Sequence, residues 1–208
     1  MEFKEIVSTE DELRSLLGYP GKLVQNKVIS YLDEHCRSFI SKSSLLLLAT
    51  ADGIGNCDVS PRGDPLGSVR VLDDTHLIIP ERPGNRRLDS LRNLLSNPRI
   101  GLVFIIPGLE ETLRVNGTAY VVRDELLLQD MALHGRVPVV GIGVKVEECF
   151  LHCAKAFMRS KLWEPNSWLD QEELPDVPKI LADHAKLPDM DAGQVANALE
   201  ESYTKRLY

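Results

Sequence analysis

The sequence predicts a mainly β protein with flanking helices, an α+β chain built on an antiparallel barrel or sandwich. Three observations carry this. Short apolar or alternating segments between "SLLLLATA" and "VKVEECFL" follow one another at hairpin spacing, with Gly, Asn, Asp and Pro between them. A single strongly helical pattern, "RLDSLRNLLSNP", interrupts them. Helical periodicity otherwise dominates only the two ends of the chain.

Two helices are predicted to open the chain. Thr9-Glu-Asp-Glu12 has capping-box spacing before "LRSLL", and Gly18 supplies a stop. "GKLVQNKVISYLDEHCRSFI" then repeats Leu23, Val24, Val28, Tyr31 and Leu32 at helical intervals. "SLLLLATADGIGNCDVSPRGDP" reads as strand, glycine turn and strand, and "SVRVLDDTHLIIP" repeats that plan around Asp73-Asp74. After the inserted helix come "RIGLVFIIPG", "ETLRVNGTAYVV", a short helix and "RVPVVGIGVKVEECFL", for six or seven strands in all. A closed or half-closed barrel best protects the edges of so many strands. "FLHCAKAFMRSKLWEPNSW" reads as a helix ending near Pro165, and two more short helices flank Pro188. The expected organisation is a helical segment over 1–40, a barrel over 41–163 and a helical extension over 164–208, forming one domain overall.

The 208 residues carry 43% hydrophobic and 26% charged side chains, enough for a sizeable core. A net charge of −7 argues against general nucleic-acid binding, which needs a basic surface to displace counterions. The longest apolar runs, "LLLLA" and "LVFII", are too short to span a bilayer, and no signal-peptide h-region opens the chain. Four cysteines in a chain of this size make no disulfide framework. These features predict a cytoplasmic protein with no membrane partner.

Against that acidic background, "PERPGNRRLDS" concentrates Arg82, Arg86 and Arg87 where a strand turns into a helix. Helix starts offer unpaired N–H groups and a positive dipole end, so they attract phosphate. Gly84 allows close approach, Asn85 can donate a hydrogen bond, and Arg86 and Arg87 offer bidentate charge. The same arginines would also serve as solvated surface charges paired with Asp89 or Glu81. A second basic position favours the anion site. In "CDVSPRGDP", Arg62 ends a strand beside Ser60, although Asp58 or Asp64 could equally neutralise it.

The run "DVSPRGDP … VRVLDDTHLIIPERPGNRRLDSLRNLLSNPRIGLVFIIPG … ETLRVNGTA" resembles the flavin-binding split barrels related to pyridoxamine 5'-phosphate oxidase, over roughly residues 40–163. The resemblance implies a six-stranded antiparallel FMN-binding split barrel, a homodimer, and FMN in the dimer interface. It implies an oxidoreductase in which the flavin carries the hydride to or from a small-molecule substrate. Asn85, Arg86 and Arg87 would form the phosphate clamp, joined by Arg62 and Ser60. Thr112 would reach the flavin ring. Lys155, Arg159, Ser160 and Trp163 of "CAKAFMRSKLW" would come to it across the dimer. The chain has no counterpart of the arginine–histidine motif that grips the vitamin phosphate in the specific oxidases, so pyridoxamine phosphate is not the expected substrate. A non-catalytic barrel holding flavin, deazaflavin or haem is the alternative, with His134 or His152 as axial ligand in the haem case, and an interaction module is a third.

Other patterns carry less. Cys149 and Cys153 around His152 match no zinc spacing, and are expected to be buried thiols on a strand end and helix. Gly141-Ile-Gly143 lacks the third glycine of a dinucleotide fingerprint. The histidines form no metalloprotease pattern, and neither a nucleophile elbow nor a Walker loop is present.

Overall fold

The computed structural model describes residues 2–208. Helix α1 (Glu10–Leu17) begins where Thr9 accepts a hydrogen bond from the Glu12 N–H at 3.2 Å, and stops at Gly18, whose φ is 76°. The long helix expected after it is broken into α2 (Lys22–Asn26) and α3 (Glu34–Lys42). The physical reason is a competing partner. Ile29 exchanges both main-chain hydrogen bonds with Cys149, which pulls the chain into an extended bridge. Asp33 then restarts the helix by accepting the Cys36 N–H at 2.8 Å, a bond that also holds its carboxyl below the ordinary range.

The sheet contains β1 (Leu45–Ala51), β2 (Cys57–Gly63), β3 (Arg70–Val71), β4 (His76–Pro80), β5 (Arg99–Ile105), β6 (Thr112–Val122) and β7 (Gly141–His152). Their order is β2-β1-β5-β6-β7-β4-β3, with every pairing antiparallel. The sheet thus has seven strands, within the six or seven read along the sequence and one more than the resemblance implies, and it is not closed. The additional member is the two-residue β3, the paired remnant of the hairpin around Asp73-Asp74. Helix α4 (Asp89–Ser96) lies between β4 and β5, and α5 (Glu125–Gln129) between β6 and β7.

The pleat explains the core. Leu46, Leu48 and Thr50 of β1 point inward and are buried, while their neighbours are more exposed. They meet Leu102 and Phe104 of β5, Leu113, Val115 and Ala119 of β6, and Ile142, Val144 and Val146 of β7. On α4, Leu91 and Leu94 close one end of this core. Strand β4 is buried from Leu77 to Pro80, whereas β2 has no buried residue at all. At Gly117 the β6–β7 register shifts, and an added Cβ would lie 2.0 Å from the Lys145 carbonyl oxygen.

Past the sheet, Phe150–His152 belong to β7, so the helix expected from Phe150 reduces to α6 (Lys155–Ser160). Strand pairing of Phe150, Leu151 and His152 with Arg114, Leu113 and Thr112 outcompetes the helix there. Helices α7 (Val177–Ala185) and α8 (Ala192–Lys205) follow, the second with an Asp191–Gln194 capping box and a buried Val195. Among the described residues, no helix is long and apolar enough to cross a membrane.

Candidate functional site

Strand β2 is polar on its inner face because the two-residue period aligns Asp58, Ser60, Arg62 and Asp64, all half-buried, in a row. This row forms one wall of a groove of about 990 Å³. The segment Pro80–Leu88 and the loop 133–140 form the other walls, and Tyr208 reaches its rim, edge-on to His134. Two ion pairs cross the groove. Arg62 donates through Nη1 to Glu81, and Arg82 donates through Nε to Asp64 at 2.7 Å. Because β2 and β4 sit near opposite ends of the strand order, these pairs bridge the open side of the sheet. Side-chain exposure of 13–20% at these four residues shields the pairs from full solvent screening.

The corner leading into α4 is unusually built. Its N-cap, Leu88, adopts a left-handed conformation (φ 59°) and gives the helix no side-chain cap. The first turn therefore presents N–H groups without a capping oxygen. Asn85 Oδ1 accepts the Arg87 N–H at 3.0 Å, and Arg87 Nε donates to Asp89 at 2.7 Å, which raises the Arg87 pKa. Arg86, also left-handed at φ 62°, is exposed and has no carboxylate partner among the described residues. Ser90, buried in the first turn, ties the corner to β2: it donates to Asp58 at 2.9 Å and lies 3.1 Å from the Ser60 hydroxyl.

Five of the residues singled out in the sequence, Ser60, Arg62, Asn85, Arg86 and Arg87, thus line one groove. Arg62 pairs with neither Asp58 nor Asp64, the partners considered from sequence. Glu81 holds it, because the residue after β4 lies across the gap while Asp58 is turned to Ser90. Thr112, Lys155, Arg159, Ser160 and Trp163 do not line this groove. Thr112 is buried at the start of β6 opposite His152. Lys155, Arg159 and Ser160 stand exposed on α6, and Trp163 stacks on Phe157 while donating to the Leu109 carbonyl at 3.0 Å. The sequence reading missed Ser90, Arg136 and the bridging role of Glu81 and Asp64. The alternation in "DVSPRGD" was the available signal for Asp64, whereas nothing local marks Arg136.

Among the described residues no group of three His, Cys, Asp or Glu side chains could hold a metal. Of the two thiols expected to be buried near His152, Cys153 is exposed; Cys149 is buried, with its sulfur 3.3 Å from that of Cys36. Burial pushes both of these thiols up in pKa.

A family model described as Pyridoxamine 5'-phosphate oxidase matches residues 32–153, which includes every strand and the groove corner. The chain belongs to the pyridoxamine 5'-phosphate oxidase family. Its open antiparallel sheet with flanking helices is the split barrel of that family. No curated protein matches the chain. Among solved structures, a candidate pyridoxamine 5'-phosphate oxidase from Lactobacillus delbrueckii is 26% identical, with a TM-score of 0.48, covering 60% of this chain and 98% of that one. HupZ from Group A Streptococcus is 22% identical, with a TM-score of 0.48 and coverage of 57% and 92%. HutZ, a haem storage protein from Vibrio cholerae, is 18% identical, with a TM-score of 0.41 and coverage of 58% and 93%.

The groove's donor set suits a phosphate-bearing ligand. Arg86 has no carboxylate partner among the described residues, the α4 start has no side-chain cap, and Arg62 keeps its Nη2 edge free of the two bonds that fix Nε and Nη1. Asp64 serves the fold instead: its Oδ2 holds Arg82, and its Oδ1 is closed to solvent with no hydrogen-bond partner among the described residues.

Proposed function

We propose that the groove binds FMN and that the protein is an FMN-dependent oxidoreductase acting on a small molecule. The observation that carries this reading is the convergence of Arg62 on β2, Arg86 and the start of α4 on one groove. Arg86, the Nη2 edge of Arg62 and the first N–H groups of α4 would hold the phosphate, with Asn85 and Arg87 shaping the corner. The bound flavin would supply hydride transfer.

A second copy of the chain completes the site in this reading. Lys155, Arg159, Ser160 and Trp163 stand apart from the groove of their own chain, so they would serve the groove of a partner in a homodimer; the buried Thr112 would not. Lys155 and Arg159 would place positive charge beside the flavin ring, where negative charge develops on reduction.

The test is the visible absorption spectrum of the full chain, loaded with FMN and passed through a desalting column. Retained flavin bands that bleach with dithionite and return in air are expected. A colourless protein would defeat the assignment. Light scattering on the same sample should give twice the 23.3 kDa chain mass, and a monomer that keeps its flavin would remove the shared-site arrangement.

A further inference from the structure

The hydrogen bonds beneath the groove run in one direction, and proton counting fixes that direction. A serine hydroxyl carries a single proton, and a carboxylate only accepts. Ser90 donates its proton to Asp58 Oδ2 at 2.9 Å. The 3.1 Å contact between Ser60 and Ser90 must therefore use the Ser60 proton. Ser60 in turn accepts from Arg62 Nε at 3.3 Å. The chain reads Arg62 to Ser60 to Ser90 to Asp58, and no proton on Ser60 is left for a ligand.

We infer that Ser60, Ser90 and Asp58 are positioning residues for Arg62, and that Ser60 acts on the bound phosphate only through that guanidinium. The inference rests on the reading of the groove as an FMN site. It changes the role of Ser60 from a direct phosphate contact to an anchor. Glu81 takes Nη1 and Ser60 takes Nε, so two sides of the guanidinium are fixed and Nη2 is left for a ligand in the groove that Arg62 lines. Ser90 is the joint of the arrangement. It is 2% exposed and sits in the first turn of α4, so the chain locks the arginine on β2 to the helix start that would share its phosphate. Preorganisation of this kind matters because an unfixed arginine loses side-chain freedom on binding.

Binding of FMN and of riboflavin to the full chain, followed by quenching of flavin fluorescence, isolates the contribution of the phosphate. The variants are Ser60→Ala, Arg62→Ala, their double substitution and Asp58→Ala, each with its melting curve recorded without ligand. In the native chain FMN should bind at least about tenfold more tightly than riboflavin, as a charge-assisted phosphate contact requires. Ser60→Ala should reduce that preference by about tenfold and leave riboflavin affinity unchanged. In the Arg62→Ala background, adding Ser60→Ala should change nothing beyond about twofold, since a residue acting through another loses its effect when that other is gone. Asp58→Ala removes the acceptor of Ser90 and should lower the FMN preference in the same direction as Ser60→Ala, with riboflavin affinity unchanged.

An undiminished effect of Ser60→Ala in the Arg62→Ala background would make Ser60 a direct contact and overturn the proposal. So would a Ser60→Ala variant with native FMN preference. Equal affinity of the native chain for FMN and riboflavin would overturn the phosphate reading itself, together with the positioning role built on it.

Discussion

Arg86 has the least structural work of the groove arginines. It is exposed, lacks a carboxylate partner among the described residues and sits on a left-handed backbone at the uncapped end of α4. Charge reversal there should cost the fold little and the ligand much. Arg86→Glu is expected to weaken FMN binding by at least about a hundredfold, two charge-assisted hydrogen bonds turned to repulsion, with the melting temperature unchanged. A native dissociation constant in equilibrium dialysis would remove Arg86 from the site. Glu81 has the opposite profile. Truncating it strands the Arg62 guanidinium, which is 20% exposed, so Glu81→Ala should lower stability by about 2–3 kcal/mol in urea unfolding. The arginine cluster was legible in "PERPGNRR" as a charge anomaly. The local Arg87–Asp89 pair was legible too, but the partners of Arg62 and Arg82 were not, because they lie across the fold, at Glu81 and Asp64. A sequence window shows the charges but not the gap that brings them together.

Strands and hairpins were the readable elements, since alternation and turn residues are local signals. The Asp73-Asp74 turn illustrates this and makes a pH prediction. The Thr75 N–H, bonding Asp73 at 2.7 Å, and the adjacent His76 hold the Asp73 carboxyl down at about 2. A folded pKa below the ordinary 3.8 means that the ionised form stabilises the fold above that value. This contribution is lost as the pH falls from about 4 to about 2. Asp73→Asn should therefore flatten that part of the acid limb in a plot of urea midpoint against pH, and an unchanged slope would deny the turn its role. Gly117 makes a steric prediction at the β6–β7 bulge. An added methyl would lie 2.0 Å from the Lys145 carbonyl oxygen, so Gly117→Ala should cost about 3 kcal/mol or more in the same assay. Helices were less readable. The apolar stripe through Leu23 and Tyr31 has good helical spacing, but Ile29 is claimed by a main-chain bridge to Cys149 that no local pattern announces. Tertiary pairing overrode propensity there, as it did at Phe150–His152.

The whole molecule is an apolar barrel built from β1, β4, β5, β6 and β7, with a polar strand along its open side. Strand β2 hydrogen-bonds only to β1, buries no residue, and is tied to the far end of the sheet by the Arg62–Glu81 and Arg82–Asp64 pairs. Very little apolar surface is therefore lost when β2 detaches, and the central strands can stay folded without it. Such a strand opens locally at lower free energy than the rest of the protein. In native-state deuterium exchange, the amides of Cys57–Gly63 that bond to β1 should lose their protons well before those of β5–β7. A ligand gripped by Arg62 on one side and by the α4 start on the other would slow them, so β2 becomes the built-in reporter of whether the groove is filled.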